Sequence, residues 1–521
     1  MPAPNPSSRR FYVTTPIYYV NDRPHIGHVY TTTLADSLAR YHRLRGDEVF
    51  FLTGTDEHAA KVSDKAAENK VTPQTWADRN AAEFERTFQR LGMTHDDFIR
   101  TSQKRHKDKV VEYIGRLLKT GDVYQGRYEG WYDAGQEEYV PENKAKEYDY
   151  KSPINGKPLV RKAEKNYFFK LSKYQQRLAS LLVDRPDFVQ PEARRNEVAA
   201  RVREGLNDVP ISRTGSGGWG IAMPGDPTQT IYVWIDALFN YLTAVDTDAR
   251  RMLWPPDVHL IAKDILWFHA VIWPALLMAL DRPLPGRVYS HSFWIAEGQK
   301  MSKSLGNFID LEKIDAYVDR FSLDALRWFL TTQGPLGSTD ADFAHGKFTE
   351  VYHADLANTV GNCASRVTNM ITRYFDGAAP EPSGRHDDGE SRRLRESAER
   401  MFGQVDALFD KCAVGAAAAA ALDVVKAVDG FVEATQPFKL AKDPDQRPRL
   451  ANILYHCAEA LRIASLGLHP FLPDKTRELW AMLCLDYDTS RGRLAEWCEW
   501  GLLKPGTPVT KGPALFPRVT D

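Results

Sequence analysis

Cysteine is scarce in this 521-residue chain and confined to one end. The five are Cys363, Cys412, Cys457, Cys484 and Cys498. The count is odd and no two are separated by two residues, which argues against a disulfide framework or a thiolate metal site and fits a reducing compartment. Long apolar runs are missing too. The longest, residues 268–280, carries His269 and Pro274 and is too short to span a bilayer. Residues 1–10 are polar and proline-rich, without the apolar core of a signal peptide, so a soluble cytoplasmic protein with no membrane partner is expected. Neither sign of charge is in excess: 68 Lys+Arg stand against 69 Asp+Glu, a formal net charge of −1. Such a chain is no polycation, so any nucleic-acid contact must come from local patches. Solenoid repeats are absent as well.

What is present begins with a glycine between two histidines. Residues 11–19 are aromatic and β-branched, as a buried strand should be, and residues 29–45 place Leu34, Leu38, Tyr41 and Leu44 on one helical face. Between them stands Pro24-His25-Ile26-Gly27-His28. A strand-to-helix turn of this kind gathers unpaired N–H groups at the positive end of a helix dipole, which favours an anion. Gly27 keeps side-chain bulk away, which suits either a ligand approaching the backbone or a tight turn. Gly46 supplies the helix stop, and residues 48–52 form a second strand ending in Thr53-Gly54-Thr55-Asp56-Glu57-His58. Strand, helix and strand in this order make a βαβ unit, hence a parallel sheet whose ligands bind beyond the strands' carboxyl ends. Asp56 and His58 fall there, as ligand contacts or as a helix cap and a solvated loop residue.

Helices are expected over 75–91 and 104–118. Residues 121–217 lack α/β periodicity and read as an insertion, hairpin-like at 128–133, with 209–213 and 231–234 as strands returning to the main domain. Residues 231–241 then turn helical, and a strand at 259–262 ends in Lys263-Asp264. Lys300-Met301-Ser302-Lys303-Ser304-Leu305-Gly306-Asn307 is a polar loop, able to wrap an anion or simply to be solvated. The rest is almost wholly helical: 323–330, 352–374, 392–410, 414–434, 449–468 and 474–483 carry spaced apolar residues, and the alanines at 416–421 mark a close helix–helix contact. The fold class is therefore α/β: a Rossmann-type parallel-sheet domain interrupted by an insertion, followed by an α-helical bundle domain.

His25-Ile26-Gly27-His28 early in a βαβ fold, with Lys300-Met301-Ser302-Lys303-Ser304 after the sheet's second half, resembles the paired signatures of class I aminoacyl-tRNA synthetases. Over essentially its whole length the chain is similar to the methionyl-tRNA synthetase family. The narrower match lies in residues 13–21, 53–58, Tyr232-Val233-Trp234-Ile235-Asp236-Ala237, Lys263-Asp264-Ile265 and Asn362-Cys363-Ala364-Ser365-Arg366. The resemblance implies a ligase that joins L-methionine to ATP as methionyl-adenylate and then to the 3′ end of tRNA(Met), initiator and elongator, with Mg²⁺ accompanying ATP. It casts His25, His28, Lys300 and Lys303 as catalytic, and adds Gly27, Asp264 and Ser302 as ATP contacts. Asp56 would pair with the methionine ammonium. Ile17, Tyr19, Trp234, Leu238, Tyr241, His269 and Ile272 would line the thioether pocket, which suits a polarizable sulfur but discriminates poorly over one methylene, so homocysteine misactivation is expected. Asn362, Arg366 and Phe438 would read the anticodon, Phe438 by stacking. The implied segments are 1–120 and 218–290 for the catalytic halves, 121–217 for the insertion, 291–345 for the lysine loop and stem-contact region, and 346–521 for the anticodon-binding bundle. A monomer is expected.

Relatives for leucine, isoleucine or valine share both signatures but usually carry larger editing insertions. A cysteine enzyme needs zinc thiolates that are lacking here, and a small-molecule adenylyltransferase would not need the helical third. Where many relatives carry Cys/His zinc ligands in the insertion, this chain has Asp133, Gln136, Ser152 and Asn155, a poor zinc set. A metal-free knuckle is expected, its turns held by Pro153, Gly156 and packed aromatics. Elemental analysis of the purified protein should therefore find well under one zinc per chain; a stoichiometric value would refute this reading.

Overall fold

The computed structural model describes residues 9–133, 138–140, 142–214, 218–301 and 306–519. Ser302 and Lys303 of the lysine loop, and Gln136 of the knuckle, lie outside these residues.

Six parallel strands form the central sheet: β1 (Arg10–Tyr19), β2 (Glu48–Asp56), β3 (Asp97–Arg100), β4 (Val189–Gln190), β5 (Val258–Ala262) and β6 (Arg287–His291), in the spatial order β3-β2-β1-β5-β6-β4. Side chains alternate between the two faces. Phe11, Val13 and Phe51 pack into one core with Leu34 and Leu38, whereas Tyr12, Phe50 and Leu52 pack into the other with Tyr113 and Ile114. Burial on both faces explains why these strands are so continuously apolar. The pairing of β1 with β2 slips between Thr14↔Leu52 and Ile17↔Gly54. The extra residue falls within Thr15-Pro16, and Pro16 has no N–H for the ladder, so a bulge there costs little. The chain runs outward from β1 through β2 to β3 and later resumes on the other side of β1 at β5. That switch point opens a crevice at the strands' carboxyl ends.

Helix α1 (Ile26–Arg45) starts three residues earlier than its apolar periodicity suggests and stops at Gly46, whose φ of 101° suits glycine. Helix α2 (Lys104–Lys119) covers the opposite face. The stretch 121–217 divides its loyalties. Val123–Asp133 and Val160–Phe169 pair as a long antiparallel ribbon, joined by Glu138–Val140 and Val209–Pro210, whereas β4 belongs to the central sheet. The expected return strands do not enter the main sheet. Val209–Pro210 stays with the ribbon, and Ser212–Thr214 pairs with Asp226–Ile231 in a small antiparallel sheet. The turn after Tyr150 is held by hydrogen bonds: Ser152 Oγ accepts from the amides of Ile154 and Asn155, and Asn155 Oδ1 from that of Lys157. Gly156 supplies a φ of 69°, and Trp131 packs on Tyr150.

After α3 (Val233–Leu238) and β6, α4 (Leu311–Phe321) and α5 (Leu323–Gln333) lead into the bundle: α6 (Asn362–Tyr374), α7 (Gly389–Phe409), α8 (Val414–Thr435), α9 (Arg447–Leu468) and α10 (Pro473–Met482). The alanine run lies where expected. Ala417, Ala418 and Ala421 are fully buried, and a Cβ on Gly467 of α9 would come within 3.0 Å of Ala421 Cβ.

The two halves join through buried charge. Arg327 of α5 donates to Asp36 of α1 at 2.6 Å and to the Pro470 carbonyl between α9 and α10 at 3.3 Å. Asp36 also accepts from Arg40 and from the amide and hydroxyl of Thr94. These donors hold the Asp36 carboxyl well below the usual range although burial opposes it. The partners are unequal in what they leave behind. Removing Asp36 strands a buried guanidinium beside Arg40; removing Arg327 leaves Asp36 with three donors. Asp36→Ala is expected to cost about 3–5 kcal/mol and Arg327→Met distinctly less. Denaturant unfolding of both variants checks this; equal losses would overturn it.

Candidate active site

His25 is the N-cap of α1, an unusual residue for that role. The Gly27 amide donates to His25 Nδ1 at 3.1 Å, and the His25 amide donates to His28 Nδ1 at 3.2 Å, a reciprocal capping box. A ring nitrogen that accepts carries no proton, so both neutral imidazoles hold theirs on Nε2. His28 is packed against Tyr18 and Phe84. Burial, reinforced by His25, holds its pKa well below the ordinary value, so it is neutral near pH 7. Gly27 is needed first for its neighbour: a Cβ there would meet His25 Cε1 at 3.0 Å and Nδ1 at 3.2 Å. The segment after the lysine loop docks onto this turn, with the Ile26 amide donating to the Ile309 carbonyl and Phe308 edge-on to His25.

Strand β2 runs on through Asp56, so the Thr-Gly-Thr stretch is strand and not loop. Asp56 caps no helix, because the N-cap of the next one, Ala60–Glu68, is Ala59. Its Oδ1 is buried without a hydrogen-bond partner, and burial followed by repulsion from Asp236 pushes its pKa well above the carboxylate range. Nor is His58 solvated: its Nδ1 lies 2.6 Å from Asp236.

His25, Gly27, His28 and Asp264 share one cavity of about 700 Å³ with Ile17, Tyr19, Asp56, Trp234, Leu238, Tyr241 and His269. Tyr19 meets Trp234 edge-on, and Trp234 stacks on Phe268 at 4.7 Å. The Tyr241 hydroxyl lies 2.7 Å from His269 Nε2, while His269 Nδ1 is 3.0 Å from the Ile265 carbonyl. A carbonyl only accepts, so Nδ1 donates to it and Nε2 accepts from the tyrosine. Burial lowers the His269 pKa to about 4, which keeps this ring neutral. Asp264 is exposed to solvent, yet desolvation by the surrounding protein raises its pKa. Ile272, expected on the wall, is buried beside the cavity and does not line it. Lys300 is exposed on a short strand and is not on the cavity wall, although Asn307 Nδ2 ties the neck of its loop by donating to the Ala296 and Lys300 carbonyls.

Sequence reasoning missed His291 and Trp294. His291 closes β6, lies 2.8 Å from Thr31 Oγ1 of α1, and lines the cavity with Trp294. The strand-end rule that drew attention to Asp56 and Asp264 applies equally to Ser290-His291-Ser292. Asn362, Arg366 and Phe438 stand apart on the bundle. Asn362 is exposed, Phe438 is 41% exposed, and Arg366 pairs with Glu433 at 2.7 Å and Asp429 at 3.6 Å near the carboxyl end of α8. Among the described residues no cluster of three or more His, Cys, Asp or Glu could hold a metal ion, and no helix is long and apolar enough to cross a membrane.

The profile of a family described as tRNA synthetases class I (M) matches residues 11–149 and 144–368. The chain belongs to this methionyl-tRNA synthetase family. A methionine–tRNA ligase of Streptomyces coelicolor is 42% identical over 538 aligned residues, covering 99% of this chain and 97% of that protein. One from Bacillus subtilis is 38% identical, covering 98% of this chain and 78% of that protein. Among solved structures, Mycobacterium tuberculosis methionyl-tRNA synthetase in complex with methionyl-adenylate aligns with a TM-score of 0.90 at 35% identity, over 98% of this chain and 100% of that one. The family's Rossmann-type catalytic domain followed by a helical domain is the architecture seen here.

Because His25 caps α1 through its ring, Gly27→Ala should displace that ring and fray the first turn. With about 1 kcal/mol of capping lost, amide hydrogen exchange across residues 25–30 should speed up roughly fivefold. Unchanged exchange would show that the ring has room to spare.

Proposed function

We propose that this enzyme activates L-methionine with ATP and transfers the methionyl group to the terminal ribose of tRNA(Met). The observation that carries the reading is the chemistry of one cavity. A buried carboxylate oxygen without a partner, on Asp56, sits in a cavity walled by Trp234, Leu238, Tyr241 and His269, and the two capping histidines line it too. The amino acid's ammonium would pair with Asp56, a charge-assisted bond. Its thioether would lie against the aromatic wall, where a neutral His269 and Tyr241 already satisfy each other and present no competing charge. ATP, taken as its magnesium complex, would lie over Gly27 and Asp264.

In the first step a methionine carboxylate oxygen attacks the α-phosphorus, the bond to the β-phosphate oxygen breaks, and pyrophosphate leaves. Such a transfer needs alignment and charge stabilisation more than covalent help. His25 and His28 supply Nε2–H donors fixed in orientation by the cap, and Lys300 and Lys303 supply cationic charge from the loop. In the second step a ribose hydroxyl of the tRNA attacks the activated carbonyl and AMP leaves. Asn362, Arg366 and Phe438 would meet the anticodon on the bundle, Phe438 offering an exposed ring for a base to stack on.

ATP–pyrophosphate exchange run with each of the twenty amino acids tests the reading. Methionine should stimulate it; stimulation by leucine, or by none, would overturn the assignment. Asp56→Ala should raise the KM for methionine by about tenfold or more, the worth of a hydrogen bond to a charged group.

A further inference from the structure

Asp236 is buried on α3, and the reaction scheme leaves it unused. Its two oxygens are each taken by a different imidazole: Oδ2 by His58 Nδ1 at 2.6 Å and Oδ1 by His106 Nε2 at 2.6 Å. His106 is held in turn by Thr243, 2.8 Å from its Nδ1. One carboxylate thus ties together the end of β2, helix α2, helix α3 and the turn after it. Burial raises the Asp236 pKa and the two imidazoles more than offset it, holding it at about 2, so the carboxylate is ionised.

The neighbours of this brace are the walls of the cavity. Asp56 lies two residues before His58; Trp234 lies two before Asp236 and Leu238 two after. The residue between Asp56 and His58 is pinned as well. Glu57 is paired with Arg100 at 2.7 Å, and its carbonyl accepts from Trp219 Nε1 at 2.6 Å. Asp56 is therefore fixed by its flanks while its own Oδ1 stays unpartnered.

We propose that Asp236 is a positioning residue for the amino acid: through His58 it fixes the strand end that carries Asp56, and through its own helix it fixes Trp234 and Leu238, setting the spacing between the polar and apolar halves of the methionine site. This rests on the methionine reading of the cavity. A carboxylate is required because only two acceptor oxygens can take two imidazole N–H donors; an amide would turn its NH₂ toward one of them.

Kinetics of ATP–pyrophosphate exchange test it in the full-length enzyme. Asp236→Asn and His58→Ala should each raise the KM for methionine about tenfold or more, with the KM for ATP within about twofold. His58→Asn, which keeps a donor near the position of Nδ1, should recover most of the loss. A parallel rise in both KM values, no change in either, or His58→Asn no better than His58→Ala would overturn the proposal. If Asp236→Asn does not fold, calorimetric titration of methionine into the two His58 variants decides by the same criterion. Exchange that methionine fails to stimulate in the unsubstituted enzyme would instead overturn the functional reading itself.

Discussion

Asp36 and Arg327 meet at 2.6 Å with both side chains shut away from water, and the placement of everything else follows from where that contact sits. It lies midway along α1, a helix about 30 Å long at the standard rise. One end of α1 is the histidine turn in the cavity. At the other end Tyr41 stacks on Phe409 and donates to Asp406, to which Arg45 also donates. A single rigid element thus touches the ligand crevice, the α5 link and the helical bundle. Burying a charged pair is a poor way to gain stability over an apolar contact of equal volume. Its value here is directional: one guanidinium can satisfy Asp36 and the Pro470 carbonyl only if α1, α5 and the α9–α10 turn keep one arrangement.

The same economy governs the buried carboxylates. Asp36, Asp56 and Asp236 are all removed from water, yet their surroundings push them in opposite directions. Donors hold Asp36 and Asp236 low, whereas burial and the repulsion of Asp236 drive Asp56 high. Asp36 and Asp236 are therefore satisfied from within the protein. Asp56, on the cavity wall, keeps one oxygen without a partner.

Much of this was legible in the residues, for physical reasons. Bundle helices have strong 3.6-residue periodicity and clear breakers, so the expected 414–434 and 449–468 appear as Val414–Thr435 and Arg447–Leu468. The βαβ unit was equally plain, because strands buried on both faces are apolar throughout. Other features carried no local signal. The start of α1 was placed too late, since histidine is not among the usual caps and the helix pattern begins only at Val29. Strand β4 is two residues long and is followed by Pro191, too little for any periodicity to register. Arg327 sits inside an apolar helix, where nothing along the chain says that its partner is 291 residues away. Cavity residues followed the same division. Asp56 and Asp264, at the ends of recognisable strands, line the cavity; Ile272, buried on a helix beside it, does not.

The cap of α1 also binds two properties that are usually separate. Each histidine Nδ1 accepts an amide proton, so adding a proton to either ring would set one N–H against another within the first turn. The enzyme therefore cannot trade one charge state of these rings for another while keeping its shape. Acid would act on this turn as a mechanical event, since protonating either ring would unwind the helix start. The two rings that face the cavity are also a latch on the backbone, and the two properties cannot be tuned independently.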